Sequence, residues 1–86
     1  MEKRIGVVGI VVENREKSAG YVNEILSDYG EMIVGRMGIP YHKRGVSVIS
    51  IIVEGSVDQI QEVRQKLSEV PEVTVEAALT REAFDD

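Results

Sequence analysis

The chain has 86 residues, no cysteine and a formal net charge of −5 at pH 7. This length predicts a single domain over residues 1–86, and the absence of cysteine excludes disulfides and thiolate metal sites. An acidic chain is a poor candidate for direct nucleic-acid binding, because such affinity depends on neutralising phosphates, and no apolar run approaches the about 20 residues of a membrane-spanning helix.

The first part of the chain predicts a strand followed by a helix. Residues 4–12 (RIGVVGIVV) are rich in β-branched side chains and too short for an ordinary buried helix, so they are interpreted as a buried strand. Asn14 or Ser18 is expected to cap the following helix, and Gly30 is expected to end it in the left-handed conformation. Apolar side chains recur through this helix at helical spacing: Ala19, Val22, Ile25, Leu26 and Tyr29.

The centre of the chain predicts a β-hairpin. Residues 32–40 and 46–54 are strand-like, and the five residues between them include a glycine, which is a normal hairpin connection. Pro40 cannot donate a hydrogen bond to a sheet, so the first of these strands is predicted to lie at a sheet edge.

The last third of the chain predicts a second helix and a fourth strand. Ser56 and Gln59 have the spacing of a capping box, and an apolar stripe follows: Val57, Ile60, Val63 and Leu67. Residues 73–79 (VTVEAAL) are strand-like, and the acidic tail at 80–86 is predicted to be helical or frayed.

The resulting order, β-α-β-β-α-β, predicts an α+β, ferredoxin-like fold. In this fold two helices cover one face of a four-stranded antiparallel sheet. Strand alternation nevertheless makes both faces apolar, since Ile49, Ile51 and Val53 lie opposite to Val48 and Ile52. An uncovered apolar face is an interface candidate, so we expect a homo-oligomer, a dimer or tetramer, joined through sheet faces or edges.

Residues suited to catalysis or metal binding are scarce. The chain has one histidine, His42, and no Ser-His-Asp set that spacing can identify, so we predict no enzymatic activity and no catalytic residue. Zinc and nickel sites need several nitrogen or sulfur ligands, so we predict no metal site and no cofactor. The alternative is an intersubunit site that collects His42 from several chains.

The basic segment of the hairpin is the first candidate binding site. Arg36, Lys43 and Arg44 are the only charged residues between positions 32 and 53. Arginine donates paired hydrogen bonds to carboxylates and phosphates, so Arg36, Tyr41, His42 and Arg44 are candidates for binding an effector. The alternative is that these charges protect an edge hairpin from aggregation or pair with a neighbouring subunit.

The loop before the first helix is the second candidate binding site. Asn14 and Arg15 lie at the predicted helix N-terminus, which favours an anionic or amino-acid-like ligand. The alternative is a capped turn that faces solvent.

Residues 33–41 (IVGRMGIPY), 45–50 (GVSVIS) and 53–55 (VEG) resemble the iron-only hydrogenase system regulators. The resemblance extends from Ile5 to Leu79. That family is similar in fold to ACT domains and to the C-terminal domain of nickel-responsive repressors, which assemble through their sheets and bind effectors near subunit interfaces. In contrast to those repressors, the hairpin strands here contain no histidine or cysteine, so no metal ligand is carried over.

The resemblance implies a regulator associated with hydrogenase expression or maturation. The expected function is therefore an ACT-like, non-enzymatic module that acts as a homo-oligomer and binds a small effector or a regulatory protein partner. The alternative is a structural or protein-interaction module without a small ligand, whose hairpin docks on a larger protein. We expect neither nucleic acid nor membrane as a partner. The start of the chain does not resemble a signal peptide, so we expect a cytoplasmic location.

Overall fold

The structure, a computed structural model, describes residues 2–85. Its strands and helices follow the predicted order, with one short strand added at the end: β1 (Glu2–Val12), α1 (Arg15–Asp28), β2 (Ile33–Tyr41), β3 (Val46–Gly55), α2 (Val57–Ser68), β4 (Val73–Leu79) and β5 (Phe84–Asp85). Short 3₁₀ turns at Gly30–Met32 and His42–Arg44 precede β2 and β3. The hairpin connection thus has four residues, because β2 continues through Tyr41.

The sheet has the strand order β2-β3-β1-β4, and every neighbouring pair is antiparallel. This order confirms the ferredoxin-like fold, and β2 lies at an edge as Pro40 predicts. Strand β1 is central, so its Val8 lies opposite Ile51 of β3 and Ala77 of β4.

The prediction of a helical or frayed tail is wrong for the part of the tail that the structure describes. Phe84 and Asp85 pair as β5 with Lys3 and Glu2 at the start of β1. The Arg4 guanidinium donates to the Thr80 carbonyl oxygen at 3.0 Å, and the Thr80 N–H donates to the Ile5 carbonyl oxygen at 2.9 Å. These bonds hold the tail against β1 and direct it into strand pairing. Residue 86 lies outside the described residues.

The core lies between the sheet and the two helices. Successive strand residues point to opposite faces, and one face of β1 and β3 is buried under α1 and α2. The buried side chains of this core come from the turn after α2 and from all the major elements except β2: Val8, Ile10, Val12, Val22, Leu26, Ile49, Ile51, Val53, Ile60, Val63, Leu67, Val70 and Val75. Burial of this apolar area supplies most of the free energy that holds the helices on the sheet.

The opposite face of the sheet is not covered by either helix. Eight large apolar side chains there are 38–66% exposed: Ile5, Val7, Val11, Met37, Ile39, Tyr41, Val48 and Ile52. We call this set the open face. Register places them side by side, since Val48 lies between Ile39 of β2 and Val11 of β1. Apolar side chains on both faces of the sheet were expected from the sequence, and the structure confirms them.

The helix N-termini show which capping predictions hold. Asn14 caps α1, because its Oδ1 accepts a hydrogen bond from the Lys17 N–H at 3.2 Å. Ser18, the other candidate, is buried and donates its hydroxyl to the Pro71 carbonyl oxygen at 2.6 Å.

The prediction that Gly30 ends α1 in the left-handed conformation is wrong. Gly30 lies in a 3₁₀ turn. Among the glycines of residues 2–85, the left-handed one is Gly45, with φ of 70° at the end of the hairpin turn.

Ser56 and Gln59 form the predicted capping box of α2. The Ser56 Oγ accepts from the Gln59 N–H at 3.1 Å, and the Gln59 Oε1 accepts from the Ser56 N–H at 2.9 Å. Both bonds satisfy N–H groups that a helix start leaves without an intrahelical partner.

Ser56→Ala is expected to lower the free energy of unfolding by about 1 kcal/mol, because alanine cannot accept the Gln59 hydrogen bond. Urea denaturation at a fixed protein concentration, followed by circular dichroism, measures the change. Ser27→Ala in α1 is the control, since within residues 2–85 the exposed Ser27 side chain has no hydrogen bond. A loss as large in the control as in Ser56→Ala would contradict the capping role.

Candidate functional site

The two predicted binding segments meet at the N-terminus of α1. The Arg15 N–H donates to the Gly45 carbonyl oxygen at 3.4 Å, and Arg15 Nη1 lies 3.2 Å from His42 Nδ1. A guanidinium can only donate hydrogen bonds, so this contact requires His42 Nδ1 to accept and places the ring proton on Nε2. The β1–α1 loop and the hairpin turn therefore form one surface.

Beside this contact, a groove of about 200 Å³ opens between α1 and β2. Arg15, Ala19 and Asn23 line it from α1, and the hairpin contributes Arg36, Pro40 and Ser47. We call it the α1–β2 groove. Ile49 of β3 also lines the groove, where it brings the apolar core close to the surface.

Arg36 enters the groove because of its register in the edge strand. It lies opposite Ile51, whose side chain is buried under the helices, so Arg36 points to the helix side of the sheet. There its Nη2 donates to the Asn23 Oδ1 at 3.1 Å. A neutral amide thus holds the guanidinium, and all the residues that line the groove are either uncharged or cationic.

The other candidate residues are placed differently. Asn14 is used as the cap of α1, next to Arg15. Tyr41 lies opposite Val46 on the open face, on the other side of the sheet from Arg36. Arg44 is exposed in the hairpin turn, and about five strand residues, or roughly 17 Å of extended chain, separate that turn from Arg36. The structure therefore places Arg15 and Arg36 along one groove and puts His42 in contact with Arg15 at the hairpin turn, while Tyr41 and Arg44 lie outside the groove.

Two polar residues of the groove were not among the sequence-based candidates. Asn23 follows Arg15 and Ala19 at intervals of four residues, the spacing of one helix stripe, so α1 alone contained a signal for it. Ser47 gave no such signal, because its position depends on the pairing of β3 with Pro40 of β2.

A second depression, of about 560 Å³, lies between the two helices. Its apolar part comes from Tyr21, Ile25 and Val70, and acidic side chains lie around it, including Glu24 and Glu69. We call it the α1–α2 cleft. Lys17 and Lys66 also line the cleft, so it carries charges of both signs, whereas the charged residues of the α1–β2 groove are all cationic.

Tyr29 links the helices near this cleft. Its hydroxyl donates to Glu62 Oε1 at 2.8 Å, and Lys66 Nζ lies 5.6 Å from the centre of its ring. Partial desolvation, together with the hydrogen bond to Glu62, raises the pKa of Tyr29. The contact with Tyr29 raises the pKa of Lys66. Both shifts favour the protonated side chains, which are a neutral Tyr29 and a charged Lys66.

Within residues 2–85, no three side chains of His, Cys, Asp or Glu lie close enough to hold a metal ion. None of the helices in that range is long and apolar enough to span a bilayer.

Residues 4–77 match the family model for TM1266-like proteins, described as iron-only hydrogenase system regulators. The chain belongs to this family. The structure is also similar to that of the uncharacterized protein TM1266 from Thermotoga maritima, with 32% sequence identity and a TM-score of 0.88. That match covers 93% of this chain and 100% of the Thermotoga chain. The resemblance inferred from the hairpin sequence is confirmed.

Two further solved structures are similar in fold to this chain. The ACT domain from the GTP pyrophosphokinase of Chlorobium tepidum is 18% identical, with a TM-score of 0.72, over 88% of this chain and 86% of that domain. A functionally unknown protein from Pediococcus pentosaceus is 13% identical, with a TM-score of 0.56, over 100% of this chain and 99% of that one. The ACT-like fold is therefore shown. A search of curated proteins finds no match.

Proposed function

We propose that this chain is a non-enzymatic regulatory module of the iron-only hydrogenase system that responds to a small anionic effector bound in the α1–β2 groove. Membership of a regulator family supports the regulatory role. The observation that supports the site is the pair Arg15 and Arg36, which line one groove without a carboxylate beside them.

The two guanidinium groups of the groove have hydrogen-bonding capacity to spare. Each carries five N–H donors, and Arg36 donates to Asn23 while Arg15 contacts His42. Charge-assisted hydrogen bonds to an anion are about twice as strong as neutral ones. A bound anion would also offset the positive charge of the groove, which has no carboxylate in its lining.

We further propose that the module is a homo-oligomer, a dimer or tetramer, formed through the open face. The eight exposed apolar side chains of that face support this, because contiguous apolar patches of such extent usually mark interaction surfaces. An effector regulates such an assembly only by its differential affinity for two states. The groove includes the edge strand β2, so an effector there could bias how β2 meets a second copy.

The alternative is a protein-interaction module in which the hairpin docks on a larger partner. Exposed apolar residues on β2, Val34 and Met37, favour this alternative. It differs from effector binding in one respect: it needs no ligand in the groove.

Arg36→Ala is expected to abolish stabilisation by small anions, because it removes one of the two cations that line the groove. Thermal unfolding of the wild-type protein is measured with a panel of small carboxylates, phosphates, amino acids and metal ions. Binding at 100 times the dissociation constant stabilises the folded state by about 2.7 kcal/mol, which is a clear rise in melting temperature.

Arg64→Ala is the matched control, because it removes the same charge from α2, outside the groove. It is expected to retain the full anion effect. A panel that never raises the melting temperature of the wild-type protein would refute effector binding and favour the interaction alternative.

A further inference from the structure

A hollow lies in the middle of the open face, beside a protruding side chain. Strand register places four residues in one row across the sheet, in the order Met37, Ser50, Gly9 and Glu76. Residues paired in this way point to the same side of the sheet, and Met37 belongs to the open face. Met37 is 66% exposed, whereas the next two residues of the row carry one small side chain and none.

The glycine of this row is not required by the packing of a single copy. Within residues 2–85, a Cβ built at Gly9 would meet only the Glu76 carbonyl oxygen, at an ordinary contact distance of 3.9 Å. At Gly6, by contrast, a Cβ would lie 2.5 Å from Leu79 Cδ2, so the fold itself explains that glycine. A glycine weakens a strand interior and often marks a close approach by another group. Gly9 therefore indicates a neighbour from outside the copy.

A second copy of the chain fits this surface when the two open faces meet about a two-fold axis that runs along β3. Two-fold symmetry makes the same patch contact itself. Because β2 and β1 flank β3, this axis stacks β2 of each copy over β1 of the other and brings Ser50 against its own counterpart. Met37 of each copy then enters the hollow at Gly9 of the other.

The other aligned arrangement, with the axis across the strands, is unfavourable. It would stack every strand on its own counterpart, so Met37 would meet Met37, and the two hollows at Gly9 would face each other unfilled. Glu76 would also meet Glu76 across an apolar contact, where two carboxylates repel each other and lose their water.

The distribution of polar residues agrees with the axis along β3. That axis leaves β4 outside the contact, and the β4 residues on this side, Thr74, Glu76 and Ala78, are exposed and stay in water. Glu54 lies closer to the axis, but it is at the end of β3, roughly 13 Å along the strand from Ser50. Its carboxylate can therefore reach the solvent at the rim of the contact.

We infer that the oligomer contains a face-to-face dimer whose two-fold axis runs along β3 at Ser50, with Met37 of each copy packed into the hollow at Gly9 of the other. Sheets packed in this way lie about 10 Å apart, with their strands within about 30° of each other. This inference rests on the proposed assembly through the open face and specifies its geometry.

The absence of cysteine from the sequence allows a test by single-cysteine cross-linking. Ser50→Cys and Glu76→Cys are treated separately with bismaleimidoethane at micromolar protein concentration, and the products are resolved by denaturing electrophoresis. We expect Ser50→Cys to give covalent dimers, because its two thiols face each other on the axis. Glu76→Cys is the control and should give few, because β4 lies two strands from β3, which separates its two copies by roughly 19 Å.

Gly9→Leu is expected to weaken dimerisation by about tenfold or more, because it fills the space that Met37 of the other copy occupies. Sedimentation equilibrium measures the dissociation constant. The space beside Gly9 is free in one copy, so the monomer should fold, and circular dichroism verifies this. Adding Met37→Ala to the Gly9→Leu chain makes room again and should recover most of the lost affinity. Ala78→Leu, outside the contact on β4, is the control that leaves the affinity unchanged.

The outcomes separate the inference from the proposed assembly. Glu76→Cys cross-linking as readily as Ser50→Cys, or Gly9→Leu leaving the affinity unchanged, would overturn the inference and leave assembly through the open face intact. An oligomeric protein in which Ser50→Cys gives no cross-link would overturn both the inference and the open-face contact. If the wild-type protein is monomeric, the inference and the proposed oligomer both fail, and the open face is left for a different protein partner.

Discussion

Ile51→Ala is expected to lower the free energy of unfolding by about 2–5 kcal/mol, whereas Ile52→Ala should change it far less in dilute protein. The two residues are adjacent in β3 and point to opposite faces of the sheet. Ile51 is 0% exposed beneath the helices, and Ile52 is 44% exposed on the open face. Truncating Ile51 leaves a cavity in a packed core, while truncating Ile52 removes side-chain surface that is already partly in water.

Urea denaturation at two protein concentrations measures both variants. A small domain has a total stability of about 5–15 kcal/mol, so the Ile51→Ala loss should shift the unfolding midpoint strongly at either concentration. If the open face joins copies of the chain, the effect of Ile52→Ala should grow as the protein concentration rises. Equal losses for the two variants in dilute protein would contradict the assignment of the two faces.

Val48→Lys is expected to dissociate the proposed oligomer into monomers. Val48 lies near the middle of the open face, between Ile39 and Val11. A lysine there would place an unpaired ammonium in an apolar interface, and burial of an unpaired charge costs several kcal/mol. In the monomer the same lysine can reach water, so the fold itself should persist.

Sedimentation velocity and light scattering at micromolar concentration measure the assembly. The Val48→Lys protein should behave as a 9.5 kDa chain, and the wild-type protein as a multiple of it. Tyr21→Lys is the control, because Tyr21 is a large exposed apolar residue on the helix side of the domain. A wild-type protein that is monomeric under these conditions would refute the oligomer.

Elements with strong local signals were predictable from the sequence. The apolar alternation of residues 73–79 predicts the bounds of β4, and the Ser56–Gln59 spacing predicts a capping box that is present. Pro40 indicates an edge strand because, inside a strand without a bulge, a missing N–H is tolerated at a sheet edge. In each case the physical cause lies within a few residues of the element, so no knowledge of the rest of the fold is needed.

Features that depend on distant pairing were not predictable in the same way. β5 exists because Phe84 meets Lys3, at the other end of the chain, and two residues give no periodicity to detect. The contact between Arg15 and His42 joins positions 27 apart in sequence. The sequence grouped Arg36 and Tyr41 in one candidate binding site of the hairpin. Strand alternation instead directs their side chains to opposite faces of the sheet.

The most direct test of effector binding in the α1–β2 groove is a two-dimensional NMR titration of the isotope-labelled wild-type protein with a small carboxylate and, separately, with inorganic phosphate. We expect the amide shifts to concentrate in α1 between Arg15 and Asn23, and in the hairpin at Arg36 and Ser47. Shifts confined to the α1–α2 cleft, around Tyr21 and Val70, or the absence of any shift at millimolar ligand, would contradict this site.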